Sequence, residues 1–236
     1  MCFHNSLSKK AQEVAARFNA HAEINFKPIY YASGFSYPLW PVITSEEPDI
    51  VRMYHWGLIP HWVKNIEQAK EIRSMTLNAK SETIFEKPSF KFSIQKKRCL
   101  IPSTGFFEWQ DFNKKKYPYF IRLKELDIFT FAGIYASWTD KTSGEIVHTF
   151  SILTTDANPL MARIHNMKKR MPVLLKKENE RDWLNDDLTD EQIKSFFPAI
   201  DDKMMMAYSI SKRITSRTEN PNVPEVNEAF VYPELQ

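Results

Sequence analysis

The sequence predicts an α+β fold: one β-rich domain over residues 1–236, built mainly of antiparallel strands with helices at the periphery. Three observations predict it. Runs of β-branched and aromatic residues crowd the middle of the chain, at Arg98 to Pro102, Tyr117 to Leu123, Ile128 to Ser137 and Glu145 to Thr154. Helical spacing is confined to short stretches toward either end. No repeat or linker-like segment divides the chain, and its 43% hydrophobic and 14% aromatic content is that of a globular protein with a sizeable core.

Taken in order, residues 9–19 place Ala11, Val14, Ala15 and Phe18 at helical spacing, with Ser8 as the expected N-cap. Residues 26–48, rich in Pro and aromatics, read as an irregular packed loop. Val51 to Gly57 alternates as a strand that Gly57 and Pro60 bring to a stop. His61 to Lys64 follows as a surface loop, and 65–95 is polar and mixed. In the strand-rich half, Thr139 to Gly144 is the hairpin loop between two of the runs above. Val173 to Leu175 is a short strand. Helical signals return over 178–197, where Thr189 and Gln192 form a capping box and Pro198 ends the helix. Met204 to Ile210 is a last strand, and the tail from Thr218 is turn-rich.

Charge is close to balanced, 32 basic against 29 acidic residues, so a polyanionic partner would have to be met by a local basic surface. Cys2 and Cys99 make no disulfide framework, and Cys99, inside an apolar strand, reads as a buried inert thiol. The start lacks a signal-peptide core and no run reaches membrane-spanning length. The expected setting is therefore cytoplasmic, in association with the nucleoid if DNA is the partner, with no membrane contact. His4, His55 and His61 show no ligand spacing with the cysteines, so neither a metal nor a cofactor is expected.

The chemistry centres on Met1-Cys2-Phe3-His4. Removal of Met1 would leave a terminal cysteine with an α-amine and a thiol on adjacent carbons. Such a 1,2-aminothiol takes an aldehyde as an imine, which the thiol closes to a five-membered thiazolidine. An α-amine is neutral near pH 7 roughly 250 to 500 times more often than a lysine, which makes it the better nucleophile. The alternative is a terminus that frays into solvent. Glu108 lies between Phe107 and Trp109; in apolar surroundings its pKa would rise and suit it to proton transfer, whereas on a surface it would do nothing. His165 precedes Lys168, Lys169 and Arg170, a basic loop able either to position phosphates or simply to be solvated. Trp62 would stack on bases if exposed and join the core if buried. Lys96 to Arg98 and Lys114 to Lys116 read as solvated faces, with phosphate contact as the lesser alternative.

Five pieces occur in order: Cys2, Trp56-Gly57-Leu58-Ile59-Pro60-His61-Trp62, Asn78-Ala79-Lys80-Ser81-Glu82-Thr83, Gly105-Phe106-Phe107-Glu108-Trp109, and His165 followed by Arg170-Met171-Pro172. Together they resemble the SRAP family (SOS-response-associated peptidase domain) over nearly the whole chain. The resemblance implies a β-rich α+β domain with a basic DNA channel, acting on abasic sites in single-stranded DNA. A monomer is expected. The resemblance also implies that Cys2 captures the ring-opened sugar as a thiazolidine crosslink, with lyase-type chemistry and self-processing of Met1. Asn78 would orient the sugar, and Glu108 and His165 would move protons. Lys80 and Arg170 would contact phosphates and Trp62 would stack beside the lesion. Lys168 and Lys169 depart from the family pattern by lengthening the loop between His165 and Arg170, and as part of the basic trio with Arg170 they would add to the DNA-binding surface. Phe3-His4 stand where many members carry Gly-Arg, so Phe3 is expected to stack in place of a phosphate contact. Lys80 replaces a common Arg, giving a point charge for a bidentate one. Two other readings remain: a Cys-dependent autoprocessing peptidase using Cys2, Glu108 and His165, and a non-covalent single-strand-binding module using the basic loops and Trp62.

Overall fold

Strand pairing holds the opening segment from Cys2 between two strands, with Cys2 itself buried, where a terminus would otherwise fray. The structure is a computed structural model describing residues 2–216 and 218–235. Met1, whose removal is expected from the sequence, lies outside the described residues. The chain opens with β1 (His4–Leu7), α1 (Ala11–Phe18), β2 (His21–Ala22), β3 (Ile29–Ser33), β4 (Leu39–Thr44) and β5 (Ile50–Trp56). Next come α2 (Ile66–Met75), β6 (Asn78–Lys80), α3 (Lys91–Lys96), β7 (Arg98–Ser103), β8 (Gly105–Phe112) and β9 (Lys115–Leu123). The second half holds β10 (Phe129–Thr139), β11 (Ile146–Asp156), α4 (Pro159–Ile164), β12 (Arg170–Pro172) and β13 (Leu174–Leu175). It ends with α5 (Glu180–Trp183), α6 (Asp190–Lys194) and β14 (Met205–Ser209).

Strands β5, β4, β7, β10 and β11 pair in that order, and β11 returns to β5 through a parallel contact at Thr149–His55 and Phe150–Trp56. The ring is closed, so it has no free edge among its five members. A second, antiparallel sheet runs β14-β9-β8-β1-β3. The fold is the α+β, mainly antiparallel arrangement expected. Buried Trp40, Trp56, Trp138 and Trp183 anchor the core, each indole N–H donating to a backbone carbonyl: Pro102, Leu77, Val63 and Cys99. Cys99 is fully buried, and burial pushes its thiol up.

Local expectations fare unevenly. The capping box of Thr189 and Gln192 forms at α6, and Gly57, at φ 103°, ends β5 in a conformation that favours glycine. Residues 26–48 are a correction: they hold β3 and β4 rather than an irregular loop. Pro41 is tolerated because β4 pairs with β5 along its length but meets β7 only at Ile43 and Thr44, past the proline. The cap of α1 is a second correction. Ser8 is drawn away by Thr104, whose hydroxyl accepts its N–H at 3.0 Å, and the helix starts at Ala11 with Glu13 accepting from Lys10 N–H at 2.9 Å. Among the described residues, no helix is long and apolar enough to cross a membrane.

Candidate active site

β1 is inserted between β3 and β8, with His4 opposite Ser33 and Asn5 opposite Phe106. Because β1 and β8 are antiparallel, moving from Phe106 to Glu108 along β8 runs back along the chain toward Cys2. Cys2 is fully buried, and its Sγ donates to the carbonyl of His4 at 3.7 Å. Burial, and after it the charge of Glu108, pushes the Cys2 thiol well above the usual range. Glu108 is itself only 5% exposed, and desolvation lifts its carboxyl to about 7. At neutral pH it is thus shared between acid and base forms.

His165 caps the C-terminus of α4, whose start is fixed by Asn158 accepting from Met161 N–H at 2.9 Å and by Pro159 in the first turn. Its Nδ1 lies 2.8 Å from the carbonyl of Arg170. A carbonyl only accepts, so Nδ1 carries the proton and Nε2 of the neutral ring holds the lone pair. Burial lowers the imidazole pKa, outweighing the hydrogen bond to Arg170, which keeps the ring neutral near pH 7. Nε2 stands 4.0 Å from Oε2 of Glu108.

Glu108 and His165 line a cavity of about 410 Å³ together with Phe3, His4, Trp109 and Lys168. One wall is aromatic: Phe3 packs on exposed Phe35 at 4.7 Å between ring centres, and His4 meets the edge of Trp109 at 4.8 Å. His4 Nδ1 bonds the hydroxyl of Tyr31 at 2.8 Å, and burial lowers its pKa to about 4. This imidazole is neutral at physiological pH and offers no cation to a phosphate.

Asn78 begins β6, which runs beside β11 with Asn78 opposite Ile152 and Lys80 opposite Thr154. On the other side of β11 sits β12, with Arg170 opposite Asp156. The two flanking segments are tied: Arg170 bonds both carboxylate oxygens of Glu82, just after β6, one of them (Oε2) at 2.9 Å, and Asp156 at 2.8 Å. The buried side-chain amide of Asn78 has no hydrogen-bond partner at either Oδ1 or Nδ2 among the described residues. An open amide of this kind costs about 1–3 kcal/mol, a cost that a bound polar ligand would remove.

Residues 1–217 match the family described as SOS response associated peptidase (SRAP). The chain belongs to the SRAP family. The abasic site processing protein YoqW of Bacillus subtilis is 35% identical over 234 residues, covering 97% of this chain and 100% of the relative. YobE of the same organism, also named an abasic site processing protein, is 33% identical over 221 residues, 92% of this chain and 97% of its own. A crystal structure of a protein from Bacteroides thetaiotaomicron superposes with a TM-score of 0.93 at 45% identity, covering 98% of this chain and 100% of that one.

Within this SRAP chain, Phe3, Glu108, His165 and Lys168 line one cavity, while Cys2 is fully buried and not among its lining residues, its thiol lying within reach of the charge of Glu108. Asn78 and Lys80 lie on β6 beside β11 and are not among the residues lining that cavity, Asn78 buried and Lys80 exposed. Arg170 is 9% exposed with its charge engaged by Glu82 and Asp156, so a phosphate would have to compete with two carboxylates for it. Trp62 sits apart. It is 39% exposed, donates to Pro88 O at 3.3 Å, and shares a depression of about 470 Å³ with His61 and Phe92. Lys169 is exposed at φ 48° and its N–H holds the carbonyl of His165 at 2.8 Å. Sequence reasoning missed Glu82, Tyr31 and Asn166. The pair Asn158-Pro159 was a legible helix start that could have put His165 at a helix end. Among the described residues, no group of three or more His, Cys, Asp or Glu is gathered to hold a metal.

Proposed function

We propose that this protein, freed of Met1, forms a covalent thiazolidine crosslink through Cys2 to abasic sites in single-stranded DNA and so shields the lesion. The observation that carries the reading is the placement of the Cys2 thiol under the influence of Glu108, with His165 4.0 Å from that carboxylate on the same cavity. Membership of the SRAP family and the names of its relatives support the choice of substrate.

The steps follow from the two protonation states. The ring-closed sugar opens as His165 Nε2 takes the proton of its C1′ hydroxyl and Glu108, as the acid, protonates the ring oxygen. The neutral α-amine of Cys2 then adds to C1′, one of its protons passing to the ionised Glu108 while His165 returns the proton it took to the aldehyde oxygen. Glu108, protonated again, gives its proton to that hydroxyl, which leaves as water and an iminium forms. The ionised Glu108 next accepts the thiol proton as Sγ bonds C1′ and the iminium electron pair returns to nitrogen, which completes the neutral thiazolidine and leaves Glu108 and His165 as they began. Asn78 supplies an amide to the sugar hydroxyls. An abasic nucleotide in a single strand has no base to unstack and no partner to displace, so placing it in the site costs little. The same acid–base pair would serve self-removal of Met1; peptidase action on other proteins is not part of the proposal. We place the protein in the cytoplasm, with the nucleoid, acting as a monomer and without a cofactor.

The test is incubation with an abasic oligonucleotide followed by denaturing electrophoresis and intact-mass analysis. A slower band that Cys2→Ala lacks, in protein whose mass shows Met1 gone, supports the reading. No band with wild-type protein, or an equal band with Cys2→Ala, overturns it.

A further inference from the structure

The hairpin of β8 and β9 outruns its neighbours. β1 pairs with β8 only at Phe106 and Gly105, and β14 pairs with β9 only from Tyr119 to Leu123. Beyond those points Gln110–Tyr117, Asp111–Lys116 and Phe112–Lys115 pair only with each other among the described residues, making a two-stranded arm. Its tip is the two-residue turn Asn113-Lys114, both at positive φ (50° and 60°), the geometry that keeps a twisted hairpin regular. An isolated hairpin is marginal in water. This one is braced: Asn166 accepts from Asp111 N–H at 3.1 Å and donates to Asp111 O at 2.7 Å. The brace joins the arm to the loop that carries Lys168, one of the residues lining the cavity with Glu108 and His165.

The arm has the composition of a single-strand contact. Phe112 is 38% exposed, and Lys114, Lys115 and Lys116 are all exposed. None of the three lysines makes an ion pair with a side chain among the described residues, and Asp111 and Glu234 are the acids the pairing brings near them. Lys116 and Asp111 themselves line the cavity, so the basic strip adjoins it. Stacking on an aromatic ring together with backbone-tracking cations is how single strands are held without sequence preference.

We propose that the β8–β9 arm is a second nucleic-acid contact, which holds the flank of the strand leaving the cavity through Lys114, Lys115 and Lys116 and stacks a base on Phe112. The choice of a single strand as the occupant rests on the function proposed above; the arm's role in binding does not depend on the crosslink.

The experiment measures affinity for an undamaged single strand of roughly a dozen nucleotides against salt concentration. The Lys114→Ala/Lys115→Ala variant is expected to bind about fivefold more weakly and to lower the slope of log affinity against log salt by about 1.4, since each of the two single-strand phosphate contacts contributes about 0.7. Phe112→Ala is expected to weaken binding several-fold with the slope unchanged. Crosslinking to a minimal abasic oligonucleotide, with one nucleotide on each side, is expected to be equal for wild type and the double variant. Unchanged affinity and slope in the double variant overturn the arm while leaving the crosslink proposal standing. Loss of slope in a protein that forms no crosslink supports the arm and removes only the covalent reading.

Discussion

His165 turns its unprotonated Nε2 toward Oε2 of Glu108 across 4.0 Å while its Nδ1 is committed to the carbonyl of Arg170. One group is thereby a base at neutrality and the other, lifted to about 7, is an acid half the time. Crosslinking also needs a neutral α-amine, whose pKa is roughly 7.7–8. The amine gains reactivity as pH rises through that value, and Glu108 loses its proton as pH rises through about 7. The rate is expected to pass through a maximum between the two. Glu108→Gln is expected to slow crosslinking about a hundredfold or more and to leave only the rising limb. A variant with the wild-type profile would remove Glu108 as the acid.

Glu108 also carries a stability signature. Its folded pKa, about 7, exceeds the ordinary 4.5, so the fold prefers the neutral carboxyl. Below about 4.5 both folded and unfolded states hold the proton and no penalty applies. Between those values the folded state binds more protons, and stability falls as pH rises. Above about 7 the penalty is complete, on the order of 3 kcal/mol. Glu108→Gln is therefore expected to raise the unfolding free energy by about 1–3 kcal/mol at pH 8 and hardly at all at pH 4.5, read by urea unfolding at both. No pH dependence in that difference would contradict the buried-acid account.

The Arg170–Glu82 pair ties the Asn78 strand to the His165 loop across β11. The carboxylate is about half exposed, so its bond to Arg170 is screened and a double-mutant cycle with Glu82→Gln and Arg170→Met is expected to give a coupling of about 0.5–1 kcal/mol. Crosslinking should suffer more than stability in Arg170→Met, because the side-chain bonds to Glu82 and Asp156 fix the position of the Arg170 backbone carbonyl, which holds His165 in its tautomer. Equal losses in rate and stability would make the tie merely structural.

Gly105 tests the junction of the two sheets. A Cβ there would stand 2.1 Å from Cζ of buried Phe120, a distance no contact allows. Gly105→Ala is expected to cost about 1–3 kcal/mol through displacement of the Phe120 ring, and Gly105→Ala/Phe120→Leu to recover part of it. Thermal denaturation of both variants measures this.

Much of the strand framework was legible because β7, β9, β10 and β11 carry β-branched and aromatic runs within a residue or two of the observed bounds; β14 was placed to within a residue as well. β8 escaped notice as a strand. Gly105 to Glu108 is buried at every position, so the alternation that marks a half-exposed strand is missing there. Pro41 hid β4, since its edge-like pairing is a tertiary fact. The site residues could be named from ordered motifs, but their meeting could not be read from spacing. Cys2 reaches Glu108 only because β1 enters between β3 and β8, a long-range pairing. Glu82 and Asn166 carried no local signal, since each matters only through a partner far along the chain.

The sealed state of Cys2 has a chemical consequence. Peroxides and alkylating agents attack the thiolate, and a sulfur held as S–H at 0% exposure presents almost none. On the proposed function, the nucleophile is thus shielded until its target arrives, the proton leaving only when a carbon centre is there to receive the sulfur.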